Sequence, residues 1–234
     1  MSKVLALIPA RGGSKGIPRK NVQDFGGIPL LGHKIRQASS AGVDEIWVST
    51  DDSEIGEIAK KFGATVIDRP AEYSLDTSST DEVLNHAIQT LNPKESDILL
   101  LLQVTSPLIS IESILKCIQH LVQSPSLNCV ISIHKSHPFL WSMDTDNVLN
   151  WSPKNHSRTY RPRRQELAPE GWETGGCYAI RVSALRNQGN RYPSPTGVVE
   201  VSLMEAIDID TWSDLDAARK IHASTSQIID VTTD

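Results

Sequence analysis

"ALIPARGGSKGIPRKN", residues 6–21, joins the end of an apolar run to three glycines, two prolines, two arginines and two lysines. Val4–Pro9 is short, apolar and closed by proline, which predicts a buried strand. A flexible cationic loop straight after a buried strand is the pattern of an α/β domain, whose ligands sit beyond the carboxyl ends of its strands. Two familiar glycine loops are excluded by spacing. Counted from Gly12, the second glycine and the lysine of a P-loop fall on Ile17 and Pro18, and Ser14 stands where GxGxxG needs glycine. The chemistry still points to phosphate. Gly12, Gly13 and Gly16 let backbone N–H groups turn towards an anion, and Arg11, Lys15, Arg19 and Lys20 bring enough charge for a triphosphate.

Outward from this loop, strands and helices alternate. Strands are expected at Glu45–Ser49, Thr65–Asp68, Asp97–Val104 and Cys129–His134. Helices are expected at Pro29–Ala41, Ser53–Phe62, after the Ser79-Thr80-Asp81-Glu82 capping box, and at Ile111–Gln123 behind Ser110. Asp51 and Asp52 read as helix-start residues. Asp97–Val104 is almost wholly apolar, the mark of a central strand covered on both faces. Residues 136–172 break the alternation with three tryptophans and a basic, proline-rich run. It resumes with a strand at Cys177–Arg181, a helix near Ser183–Asn187, a strand near Glu205–Ile209 and a helix from Thr211 to about Ala223. The expectation is one Rossmann-like α/β domain over residues 1–223, three-layered, with a mostly parallel sheet, an excursion at 136–172 and a loose tail at 224–234.

Composition narrows the function classes. With 23 Lys and Arg against 28 Asp and Glu, the net charge is −5, so no general attraction to nucleic acid or anionic lipid is expected. No apolar run approaches the roughly 20 residues of a membrane helix, and no signal-peptide pattern is present, so a cytoplasmic protein is expected. Cys117, Cys129 and Cys177 are widely spaced among apolar neighbours and read as reduced core thiols. The seven histidines show no metal-ligand spacing.

"IDID", residues 207–210, forms the second candidate site. Period 2 on a short strand would put Asp208 and Asp210 on one face, at the strand's carboxyl end, with Thr211 capping the next helix. Two hard oxygen anions suit Mg²⁺. Gln103, ending a buried strand, needs a polar partner, which either a ligand or its own Thr105-Ser106-Pro107 turn would supply. "RTYRPRRQ" places four arginines in residues 158–164, a composition suited to a carboxylate.

The run "IPARGGSKGIPRKN" resembles the signature of the acylneuraminate cytidylyltransferase family, and the similarity continues through "VSTDD" (48–52), "LLQVTSPL" (101–108), "RRQ" (163–165) and "IDID". The resemblance implies a nucleotidyltransferase fold in which residues 136–172 help form a homodimer. It implies transfer of CMP from CTP to a nine-carbon 2-keto-3-deoxy sugar acid, with Mg²⁺ on Asp208 and Asp210. Arg11, Gly12, Gly13, Ser14, Lys15, Lys20 and Asn21 would bind nucleotide, with Arg11 and Lys20 catalytic alongside the aspartate pair. Arg69, placed before Pro70 after a short strand, reads from that position as either a further nucleotide contact or a surface arginine. Gln103, Arg164 and Tyr178 would border the sugar. Where the family has asparagine before the glycine of its sugar-side segment, this chain has Thr174, which hints at a nonulosonic acid other than ordinary N-acetylneuraminic acid. The rival readings are a Kdo-type or other sugar nucleotidyltransferase, and a nucleotide-binding regulatory domain without turnover.

Overall fold

A computed structural model of the chain describes residues 2–143 and 150–231. Strand β1 (Val4–Pro9) leads through the cationic loop to a tight hairpin, β2 (Asp24–Phe25) and β3 (Ile28–Pro29). Helix α1 (Leu30–Ser40), β4 (Glu45–Thr50), α2 (Ser53–Lys61), β5 (Thr65–Asp68), α3 (Thr80–Leu91), β6 (Ile98–Leu101) and α4 (Ile111–Gln123) follow. Next come β7 (Cys129–Ser136), a small hairpin of β8 (Trp141–Met143) and β9 (Trp151–Pro153), β10 (Glu170–Arg181), α5 (Val182–Gln188), β11 (Thr196–Glu200) and α6 (Trp212–Val231).

Seven strands form one sheet in the order β11-β7-β10-β6-β1-β4-β5. β1 pairs in parallel with both β4 and β6, β4 with β5, and β7 with β11. β10 is antiparallel to both of its neighbours, β6 and β7. The apolar content of β1 and β6 explains their central place. Ala6, Ile8, Ile98 and Leu100 pack into the core on one face, while Leu5, Leu7, Leu99 and Leu101 pack on the other. α1, α2, α4 and α6 supply side chains to the first face, and α3 and α5 to the second, giving three layers.

Local chemistry sets the helix starts. The Asp52 carboxylate accepts from Ile55 N at 3.0 Å to open α2, and Ser110 Oγ accepts from Ser113 N at 3.1 Å to open α4. Ser79 and Glu82 cap α3 reciprocally. At α6, the Asp214 carboxylate accepts from Thr211 N at 2.7 Å, and Thr211 Oγ1 accepts from Asp214 N at 3.3 Å.

Three expectations need correction. The strand expected near Glu205–Ile209 is absent, and Thr196–Glu200 supplies the edge strand on β7 instead. The reason is a turn at 203–206, which Glu205 locks by accepting from Ser202 N at 3.0 Å, Ser110 N at 3.1 Å and Ser113 Oγ at 2.7 Å. The sheet reaches into both ends of the 136–172 excursion, since β10 begins at Glu170 and pairs with β7 as far as Ser136. Helix α6, expected to end near Ala223, continues to Val231; the last residues of the expected tail, 232–234, lie outside the described residues, as do residues 144–149 of the excursion.

All three cysteines are free and buried, and burial pushes the Cys129 thiol up to about 12. Among the described residues no helix is long and apolar enough to cross a membrane.

Candidate active site

The loop after β1 meets the segment before α6 through two contacts that span most of the chain. Lys20 Nζ donates to Ile209 O at 2.5 Å and to Asp210 Oδ1 at 3.1 Å. The backbones also touch: a Cβ added at Gly16 would run into the Asp210 carbonyl, so only glycine permits this approach. Beside this junction opens a cleft of about 490 Å³. Arg11, Ser14, Lys15, Gly16, Lys20 and Asn21 line it from the cationic loop, Arg69 from the end of β5, Gln103 and Thr105 from the end of β6, and Asp210 from the acidic segment. The cleft thus lies beyond the carboxyl ends of β1, β5 and β6, where an open α/β sheet binds its ligands.

Asp208 and Asp210 reach the same side without a strand. Ile209 is buried between them, and its N–H donates to Thr105 O at 2.8 Å. One backbone bond and one buried isoleucine therefore keep the in–out alternation that a sheet would otherwise impose. Asp210 lines the cleft; Asp208 stands just behind Thr105, whose side chain hydrogen-bonds its carboxylate. Asp208 keeps exposed surface, yet the protein packed round it removes solvent and raises its pKa. Thr105 opposes that rise and the Asp210 charge adds to it. Mutually repelling carboxylates with hard oxygen donors fit a magnesium ion, which needs only one or two protein carboxylates. Among the described residues no group of three or more His, Cys, Asp or Glu is placed to hold a metal.

The cations of the loop are not equivalent. Arg11 Nη1 lies 3.1 Å from Asp76 Oδ1, and Lys15 Nζ lies 2.9 Å from Asp76 Oδ2. Asp76 lines the cleft from the loop between β5 and α3, and Lys15, then Arg11, hold its carboxyl below the usual carboxylate range. A carboxylate thereby sits on two of the charges proposed for phosphate. Arg19 is turned elsewhere: it pairs with Asp52 at 2.5 Å and with Glu54. It does not line the cleft, so the loop presents three cations there rather than four. Arg69 is buried, donates to Ser49 Oγ at 3.1 Å and Ser49 O at 2.5 Å, and has its pKa lowered to about 10, chiefly by burial. Asn21 Nδ2 donates to Arg11 O at 2.9 Å, fixing the loop from inside.

Other expected residues fall outside the cleft. Gly12 and Gly13 do not line it. The Gly12 N–H, expected to face an anion, donates to Asp51 Oδ1 at 3.0 Å, and a Cβ at Gly12 would strike the Asp52 side chain. Arg164 is exposed on a short 3₁₀ turn whose neighbours bond locally, Arg163 N and Tyr160 OH both donating to Glu166 Oε2 at 3.2 Å. Tyr178 is buried, its hydroxyl donating to Glu173, which also accepts from Tyr192 OH at 2.7 Å. Burial, then Glu173, raises the Tyr178 pKa. Thr174, read as a substrate-side substitution, turns inward: its Oγ1 lies 2.7 Å from Ser132 Oγ.

Tyr73 and Asp76, which carry no signal of their own in the sequence, also line the cleft, as do Ser79 and Thr80, which the sequence marks only as a helix cap. The "SLDTSST" run (74–80) reads as a loop and helix start, which hides its second role as one wall of the site.

Comparison with known proteins shows the family and the fold. Residues 5–161 match the family described as Cytidylyltransferase. The chain is 40% identical over 175 residues to N-acylneuraminate cytidylyltransferase B of Danio rerio, covering 74% of this chain and 40% of that protein. It is 30% identical over 226 residues to pseudaminic acid cytidylyltransferase of Campylobacter jejuni, covering 94% and 96% of the two chains. The chain spans half or less of the length of the fish relatives it matches. In fold it is similar to CMP:2-keto-3-deoxy-manno-octonic acid synthetase complexed with CTP, with a TM-score of 0.71, 24% identity, and 96% and 100% of the chains covered. By the span of the family match, and by a relative that aligns along nearly its whole length, the chain belongs to the cytidylyltransferase family.

Proposed function

We propose that the protein transfers CMP from CTP to the anomeric hydroxyl of a nonulosonic acid, a nine-carbon 2-keto-3-deoxy sugar acid, and releases pyrophosphate. The observation that carries this reading is the junction of Lys20 with the Asp208–Asp210 segment at the edge of one cleft. The names of the relatives, which act on N-acylneuraminate and pseudaminic acid, supply the acceptor class.

The triphosphate displaces Asp76 from Arg11 and Lys15, which then hold its β- and γ-phosphates. Ser14 and Asn21 border the same space, and Arg69 lines it from the end of β5. The sugar acid binds past Gln103 and presents its anomeric hydroxyl in line with the α-phosphorus. The C2 oxygen bonds to phosphorus as its O–H bond breaks, the bond to the β-phosphate oxygen breaks, and pyrophosphate leaves with the electron pair while the hydroxyl proton passes to solvent. Charge grows on the phosphate oxygens, so the protein's contribution is electrostatic. Lys20 stands where that charge meets the acidic segment. Asp208 and Asp210 would hold Mg²⁺. Bound there, the ion supplies charge neutralisation at phosphate and acidifies a neighbouring hydroxyl.

The same proposal includes a cytoplasmic homodimer built through the 136–172 excursion. Its described part exposes Trp141, Met143, Trp151 and Trp172, an apolar composition suited to a second copy. Pyrophosphate release, measured across four nucleoside triphosphates and a panel of sialic, pseudaminic, legionaminic-type and Kdo acids, tests the function. Turnover confined to CTP with a nine-carbon acid is expected. Release with Kdo alone, or with no acid, overturns the acceptor assignment; nucleotide binding without any release overturns the catalytic one.

A further inference from the structure

Lys34 is fully buried, and among the described residues no carboxylate pairs with it. Its Nζ donates to Ser106 O at 2.8 Å. An ammonium buried without a counter-charge is a costly arrangement, and burial pushes Lys34 down to about 7. The neighbours on α1 reach the same turn. His33 Nε2 lies 3.0 Å from Pro107 O, and Gln37 Nε2 donates to Pro107 O at 2.8 Å and to Ile109 O at 2.7 Å. One helical turn thus holds three consecutive-region carbonyls of the segment after β6.

That segment carries cleft residues. Gln103 and Thr105 line the cleft, Thr105 bonds the Asp208 carboxylate, and Thr105 O accepts from Ile209 N at 2.8 Å. Ser106 Oγ donates to Thr174 O at 3.1 Å, tying the turn to β10. Lys34 therefore stands behind a short relay from helix α1 through Ser106 to Thr105, and from Thr105 to the acidic segment.

We propose that Lys34 is a positioning residue for CMP transfer, holding the Gln103–Pro107 turn, and through Thr105 the Asp208–Asp210 segment, in reacting register. It touches no substrate and acts through the Ser106 carbonyl. This rests on the reading of the cleft given above, since it assigns Lys34 to that same reaction.

Two variants test it, with thermal melting, amide exchange over residues 103–107, and steady-state kinetics. Lys34→Met keeps the length and removes the donor; Lys34→Gln keeps a neutral donor. For Lys34→Met the expected result is a melting temperature equal to or above that of the unmodified protein, faster exchange in the turn, and kcat lower by about tenfold or more, since small misplacement of reacting groups is that costly. KM for CTP stays near its original value, because Arg11, Lys15 and Lys20 are untouched, and Lys34→Gln recovers part of kcat. A purely structural lysine gives the opposite coupling, melting temperature falling while the kcat of the folded protein holds, and that result overturns the proposal. So do unchanged exchange and kcat in Lys34→Met, or equal loss in both variants with unchanged exchange. If Lys34→Met does not fold, Lys34→Gln is read alone: reduced kcat at retained melting temperature supports the proposal, and unchanged kcat overturns it. If the unmodified protein shows no turnover with CTP, the proposed function fails on its own, and exchange in the turn still decides whether Lys34 holds it.

Discussion

Lys20→Met separates a strut from a catalytic charge. Methionine keeps most of the side chain's length and apolar bulk while deleting its ammonium. Two interactions disappear with it. The bond to Ile209 O, at 2.5 Å, comes from a side chain only 11% exposed, and a charged hydrogen bond of that kind is worth about 1.5–3 kcal/mol. The pair with Asp210 adds little to stability, because Asp210 is 76% exposed and such pairs contribute about 0–1 kcal/mol. The expected loss of stability is therefore about 2 kcal/mol, a fall in melting temperature of roughly 4–8 °C for a chain of this size. Turnover should fall much further. A preorganised charge at a developing oxyanion is worth about 2.7–4 kcal/mol, so kcat should drop by roughly a hundredfold or more. The assay is continuous pyrophosphate release well below the variant's melting temperature, paired with calorimetry on the same sample. A variant that melts lower yet turns over within about threefold of the unmodified protein, below the smallest effect this reasoning allows, would show that Lys20 only fastens two loops together.

Arg11→Ala should raise the calorimetric Kd for CTP by about tenfold, the loss of one charge-assisted contact worth about 1.5 kcal/mol, whereas Asp76→Asn should lower it by freeing Arg11 and Lys15. Glu205→Ala should cost about 2 kcal/mol in urea unfolding, since the carboxylate accepts from Ser202, Ser110 and Ser113. The same group has its pKa lowered to about 2 in the fold, against 4.5 ordinarily. Its contribution is present above 4.5 and lost as pH falls towards 2, a loss that Glu205→Ala should not show. Lys34 has the opposite linkage: between 7 and 10.5 the unfolded chain binds its proton and the native one does not. Native stability should therefore rise across that window by an amount on the order of a few kcal/mol, and Lys34→Met should flatten the rise.

Elements whose local signals agreed with their tertiary setting were legible in the sequence. The apolar runs of β1 and β6, the capping box at Ser79 and the Ser110 cap specify their elements within a few residues, so neighbours in space had little to override. The shared side of Asp208 and Asp210 was legible in "IDID", but the strand expected to impose it was not there. Alternation along residues 207–210 is real, yet Ile209 and one bond to Thr105 enforce it without a strand. Thr196–Glu200 was missed because its glycine and exposed alternate residues carry little strand signal; the open edge of β7 recruits it. Asp76 was missed because loop acids are common, and only its closeness to Arg11 and Lys15 gives it meaning. Lys34 left a trace that can be read in retrospect. It occupies the same helical stripe as Leu30, Leu31, Ile35 and Ala38, where a lysine must be buried and must find an acceptor.

Lys20 and Asp210 are 190 positions apart in the chain. On the ribosome the basic loop emerges first, and the acids that complete the cleft follow after about 10–40 s at ~5–20 residues per second. A nascent chain stalled or cut short before Asp210 carries the cations without the acids that complete the site. Premature stop codons anywhere upstream of it should thus be equally silent for nucleotide transfer, with no gradient of partial activity as the break point moves towards Asp210.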